Sequence, residues 1–103
     1  MIVEMRIYTL QPGQMDGYLK EIEQINPVLD EHLTPLIGYF TNEVGMLNQV
    51  VSMRAYPDFA ERTARRRAMV ADPRFQAAAK RVTPVMQTQQ NWILQPTNFS
   101  PIR

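Results

Sequence analysis

The chain has 103 residues, 45% hydrophobic and 20% charged, with 11 basic and 10 acidic side chains and a formal net charge of +1. That is enough for one globular domain with one core and too short for two, and the charge balance gives no electrostatic reason to expect a nucleic acid or an anionic membrane as partner. The absence of cysteine excludes disulfides, thiolate nucleophiles and thiolate metal sites, and it fits a reducing, cytoplasmic setting.

The first ten residues, MIVEMRIYTL, alternate apolar and polar side chains from the second position. They lack the basic and continuous apolar regions of a signal peptide, and no apolar run reaches the roughly 18 residues of a membrane span. Residues 2–10 therefore read as a strand, with Val3, Met5, Ile7 and Thr9 on one side and Glu4, Arg6, Tyr8 and Leu10 on the other. Pro12-Gly13 turns the chain. Met15, Tyr18, Leu19, Ile22, Ile25, Leu29 and Leu33 then recur at spacings of three and four, which predicts an amphipathic helix from residue 13 or 14 to 32. Pro27 should kink or split it near Ile25-Asn26.

Pro35 closes that region. Leu36 to Glu43 and Asn48 to Tyr56 read as two strands joined by a turn at Val44-Gly45-Met46. Pro57 opens a second helix through Ala71, with Asp58–Arg62 and Glu61–Arg65 as i,i+4 pairs. Asp72-Pro73 reads as a cap and a fresh helical start. Phe75, Ala79, Val82 and Met86 continue the apolar stripe, with a kink at Pro84, and Asn91 to Gln95 forms a last strand. The order β-α-β-β-α-(α)-β over residues 1–103 is that of a ferredoxin-like α+β domain: a four-stranded antiparallel sheet with helices on one face.

The alternation within strands has a second use. If the helices cover the purely apolar sets Val3, Met5, Ile7 and Val51, Met53, Ala55, the opposite face carries Glu4, Arg6, Tyr8, Asn48, Val50, Ser52 and Arg54. Tyr8, Phe40 and Val50 would then form a patch that a monomer rarely leaves open. A second copy packed sheet to sheet would bury the apolar members and enclose the polar ones, so the expectation is a homodimer through the sheet face. A slip of one residue in this parity would exchange the two faces.

The segments MRIYTLQPGQMDGYL, HLTPLIGYFTNEVGMLNQVVSMRAYPDFAERTARRRAMVADPRF and NWILQP resemble the NIPSNAP family of the dimeric α+β barrel superfamily, most specifically in the run from Gly38-Tyr39-Phe40 to Ala55-Tyr56. The resemblance implies a ferredoxin-like protomer that pairs through its sheet. Superfamily members include cofactor-free oxygenases, isomerases and haem-dependent enzymes, and the resemblance selects none of these activities. Arg54 and Ser52 stand where the family often carries tryptophan and histidine.

Arg6, Tyr8, Asn48 and Arg54 are the ligand-binding candidates. A guanidinium pairs with a carboxylate or an enolate-like oxyanion, and a phenol or an amide donates a hydrogen bond to it. The plain alternative is a set of structural hydrogen bonds and arginine pairs to Glu4. His32, the single histidine, is the candidate general base, against a structural role at the end of the first helix. Arg65-Arg66-Arg67 fan through about 200° of a helix and read as a solvated face. Met5, Met53 and Met86 fall on apolar stripes and read as core. No metal site and no cofactor is expected. Two functions remain open: a dimer whose interior binds or transforms a small organic molecule by cofactor-independent oxygenase- or isomerase-like chemistry, or a non-catalytic self-associating module.

Overall fold

The computed structural model describes residues 1–103. Its elements are β1 (Ile2–Leu10), α1 (Met15–His32), β2 (Leu36–Thr41), β3 (Gln49–Tyr56), α2 (Phe59–Val70), α3 (Pro73–Val82), a 3-10 turn at Thr83–Val85 and β4 (Met86–Leu94). The strands form one antiparallel sheet in the order β2-β3-β1-β4, so β1 and β3 are central. The predicted ferredoxin-like α+β class is what forms.

Local chemistry explains most boundaries. α1 runs unbroken through Pro27, because the proline ring is accommodated where the helix is supported by packing along its apolar stripe. α2 starts two residues later than the position of Pro57 suggests, because Asp58 is its N-cap: the carboxylate accepts the Glu61 N–H at 2.7 Å. That engagement takes Asp58 out of the expected pair with Arg62. Asp72 caps α3 as expected, accepting the Arg74 N–H at 2.8 Å, with Pro73 at the first helical position. The stripe ends at Val82; Pro84 sits in the 3-10 turn, and Met86 opens β4 five residues before the predicted start of the last strand.

The face assignment of the sheet is reversed. The buried cluster of Leu10, Tyr18, Val50 and Val82 joins even-numbered strand residues to α1 and α3, with Tyr8, Ile22 and Tyr39 packed against it. Ile22 and Tyr8 therefore lie on the same side, and Val51 on the other. The helices cover the face that carries Glu4, Arg6, Tyr8, Val50, Ser52, Arg54 and Tyr56. Register places Val3 opposite Ala55, Met5 opposite Met53 and Trp92, and Ile7 opposite Val51 on the outer face, with Phe40 also opposite Val51. No helix covers that side, and Phe40 and Trp92 remain 52% and 53% exposed. Gly38 gives the Phe40 ring its room, since a Cβ there would stand 2.3 Å from the ring's Cζ. The physical reason for the reversal is that apolar alternation marks a face that avoids water. It does not say whether a helix or something else removes that water.

Candidate functional site

Between the helices and the even face of the sheet lies a cavity of about 190 Å³. Its floor is Glu4, Arg6, Tyr8, Ser52, Arg54 and Tyr56 from the central strands, with Tyr39 from β2. Its roof is apolar: Ile22, Ile25 and Leu29 from α1, Met69 from α2, and Phe75 and Val82 from α3. The cavity thus lies within one protomer, on the very face of the sheet that was expected to pair with a second copy, and helices rather than a second sheet cover it.

Glu4 anchors the charged end. It is 2% exposed and its Oε2 accepts hydrogen bonds from Arg62 Nε at 2.7 Å and Asn91 Nδ2 at 3.0 Å. Arg6 Nη1 stands 3.5 Å from the same oxygen, and Arg66 Nη1 stands 4.0 Å from Oε1. Burial alone would raise the Glu4 pKa, but the hydrogen bonds from Arg62 and Asn91 and the charges of Arg6 and Arg62 outweigh it and hold the carboxyl below its usual value. Arg62 and Arg66 sit one helical turn apart on α2, so both guanidinium groups reach the sheet. Reading Arg65-Arg66-Arg67 as a solvated fan missed this. The signal that finds it is the i,i+4 spacing of Arg62 and Arg66 on the same side as the buried Met69.

The phenols form the other polar group. Arg6 Nε donates to the Tyr8 hydroxyl at 2.7 Å and the guanidinium also lies over the Tyr8 ring, 5.5 Å from its centroid. The Tyr8 oxygen is therefore an acceptor toward Arg6, and its own proton is free for a ligand. The Tyr18 and Tyr39 hydroxyls are 3.4 Å apart. Burial pushes the Tyr18 phenol far above its usual value and raises that of Tyr39, so both remain neutral donors. Burial also raises the Tyr56 phenol.

Arg6, Tyr8 and Arg54 come together in the cavity wall. Arg54, however, is already committed: Nη1 donates to Asp30 Oδ1 at 2.9 Å and to the Thr34 carbonyl, and Nη2 donates to Asn26 at 3.4 Å. It ties β3 to the end of α1. Asn48 lies outside the cavity wall, at φ 62° just before β3, with its carbonyl accepting the Leu10 N–H at 2.8 Å. Asparagine tolerates that left-handed backbone better than most residues do. His32 is also outside the wall; its Nε2 is 2.8 Å from Asp72 Oδ2. Glu31, His32 and Asp72 group their ligand-type atoms within 4.8 Å. Arg74 already bridges Glu31 and Asp72 at 2.7 Å each, so the group is an ion-pair cluster joining α1 to α3.

A family model described as NIPSNAP matches residues 3–101 of this chain. The chain belongs to the NIPSNAP family. Among NIPSNAP relatives, the human protein NipSnap homolog 3B is 29% identical over 99% of this chain, which covers 42% of that relative. The chain spans less than half the length of the curated relatives it matches. A NIPSNAP family protein from Agrobacterium tumefaciens superposes with a TM-score of 0.94 at 39% identity, covering 99% of this chain and 98% of that one. The NIPSNAP fold extends further: an antibiotic biosynthesis monooxygenase superposes with a TM-score of 0.68 at 11% identity, over 94% of this chain and 99% of that one. At that identity the likeness is one of fold alone.

Proposed function

We propose that this NIPSNAP protein binds a small organic molecule in the cavity between sheet and helices, and that two copies associate through the apolar outer face. The observation that carries the first part is the Arg6–Tyr8 pair: a phenol whose oxygen is held by a guanidinium, with its proton free, on the wall of a mostly apolar cavity. Such a pair suits a carbonyl or enolate-like oxygen, because negative charge developing on that oxygen meets a hydrogen-bond donor backed by a cation. This is chemistry that cofactor-independent oxygenases and isomerases use. His32 does not reach the cavity wall, so the arrangement supports oxygen stabilisation better than proton abstraction by histidine.

The test is a thermal-shift panel of enolisable carbonyl compounds, quinols and small carboxylates, followed by titration of any binder against wild type and Tyr8→Phe. A compound present at about 100 times its dissociation constant should raise stability by about 2.7 kcal/mol. Tyr8→Phe should weaken binding about fivefold or more, in keeping with the loss of one hydrogen bond. No shift across the panel would remove the cavity reading, and unchanged affinity in Tyr8→Phe would remove Tyr8 from it.

The outer face favours the association. Met5, Ile7, Val51, Met53 and Ala55 share the outer face by register, with the exposed Phe40 and Trp92 on either side. An apolar face of this kind is what two sheets bury against each other. Ligand binding and self-association do not compete, because the sheet separates them.

A further inference from the structure

We propose that the cavity selects an organic monoanion, a carboxylate head on an apolar body, with the head held between Arg6 and Arg66. The proposal rests on the cavity reading above and adds the charge and shape of the occupant.

Charge is the first argument. The cavity wall carries Arg6, Arg54 and Arg66 against a single carboxylate, Glu4. Arg54 is compensated by Asp30. Glu4 is left to serve three guanidinium groups, and Arg62 occupies it most closely, with Nη2 2.5 Å and Nε 2.7 Å from Oε2. Three positive charges against one negative leave an excess of two, and it resides on Arg6 and Arg66. Both side chains are largely removed from water, at 18% and 21% exposure. Buried excess charge is costly unless a counter-charge meets it.

Hydrogen-bonding capacity is the second argument. Arg66 donates no hydrogen bond to any protein group within range, and its single ionic contact is the 4.0 Å approach to Glu4. Arg6 uses Nε on Tyr8 and places Nη1 3.5 Å from Glu4. A guanidinium has five N–H donors, so both groups keep donors for a ligand. A carboxylate matches that fork with two oxygens. Burial lowers the Arg66 pKa and the neighbouring Arg6 charge lowers it further, a crowding of like charge that an incoming anion would relieve.

Shape is the third. Opposite the arginines the wall is Ile22, Leu29, Met69, Phe75 and Val82. A bare inorganic anion leaves that surface uncovered, and a cationic ligand is repelled at the polar end. An apolar body with one acidic head satisfies both ends.

The experiment uses probes with matched bodies and different heads. Octanoate, octanol and octylamine form one set; 3-phenylpropionate, 3-phenylpropanol and 3-phenylpropylamine form the other. Each is titrated by calorimetry at pH 7.5 into wild type and Arg66→Gln. In at least one set the acid should bind tenfold or more tighter than its alcohol, with the amine weakest. In Arg66→Gln the acid's advantage should fall tenfold or more while alcohol affinity holds. Arg66→Lys, which keeps the charge and loses the fork, should lose part of the advantage; it serves in place of Arg66→Gln if that variant does not fold. Alcohols that bind as tightly as acids would overturn the anion proposal and leave the cavity reading standing. An acid advantage unchanged in both variants would also overturn it. If no probe of either set binds, this proposal is overturned, while the cavity reading stands or falls on the thermal-shift panel.

Discussion

Glu4 shows what one buried carboxylate does when its neighbours are arginines. With Arg62, Arg6 and Arg66 all within 4.0 Å, its removal strips the counter-charge from a cluster that is largely removed from water. Glu4→Gln should therefore destabilise the fold by about 3–5 kcal/mol, the usual cost of breaking a buried pair from one side, measured by urea unfolding at fixed protein concentration. A change under about 0.5 kcal/mol would mean that the arginines are solvated. The pH dependence has a defined sign. The folded pKa of Glu4 lies below its unfolded value, so its contribution is fully present above the unfolded pKa and is lost as pH falls through the folded one. Wild-type stability should decline on acidification below about pH 4, and Glu4→Gln should flatten that limb. At this scale the sequence showed Arg6, Tyr8 and Arg54 as neighbours, because strand alternation puts them on one face. It did not show Arg66, whose role depends on how α2 rotates over the sheet.

At the scale of elements, capping residues set several boundaries that periodicity left vague. Asp58→Ala removes the acceptor for the Glu61 N–H and should cost about 0.5–2 kcal/mol. Asp58→Asn, which can still accept that bond, should recover most of the loss in the same unfolding assay. Element order and type were legible in the sequence because each switch between period two and period 3.6 falls at a proline, glycine or aspartate. The strand faces were not. Val3, Met5 and Ile7 look like core by every hydrophobicity rule, and Glu4, Arg6 and Tyr8 look like surface, yet the helices cover the latter. The rule failed because the helices of this sheet cover its polar face, around a cavity, and leave its apolar face without a helix. Asn48 illustrates a second limit. Its polarity suggested a ligand contact, whereas its position is explained by a backbone conformation, φ 62°.

At the scale of the whole molecule the two faces make separable predictions. Met53→Glu places a charge on the outer face and should shift the proposed dimer toward monomer in light scattering at micromolar concentration, with helix content unchanged by circular dichroism. Val50→Glu places the same charge beside Leu10, Tyr18 and Val82 in the helix-side core and should unfold the chain instead. A wild type that is monomeric at those concentrations would remove the association reading. The parity of β1 has a further consequence for how this sequence can vary. Nine residues are written in two interleaved frames, one for a cavity floor and one for the outer face. Inserting one residue near Met5 would transpose the frames downstream, sending Arg6 and Tyr8 outward and Ile7 inward, although every original residue is retained. Inserting two would restore the frames. Libraries of short insertions in β1 and β3 should therefore show tolerance alternating with length, odd lengths being lost and even lengths surviving more often, a grammar that substitution alone would never expose.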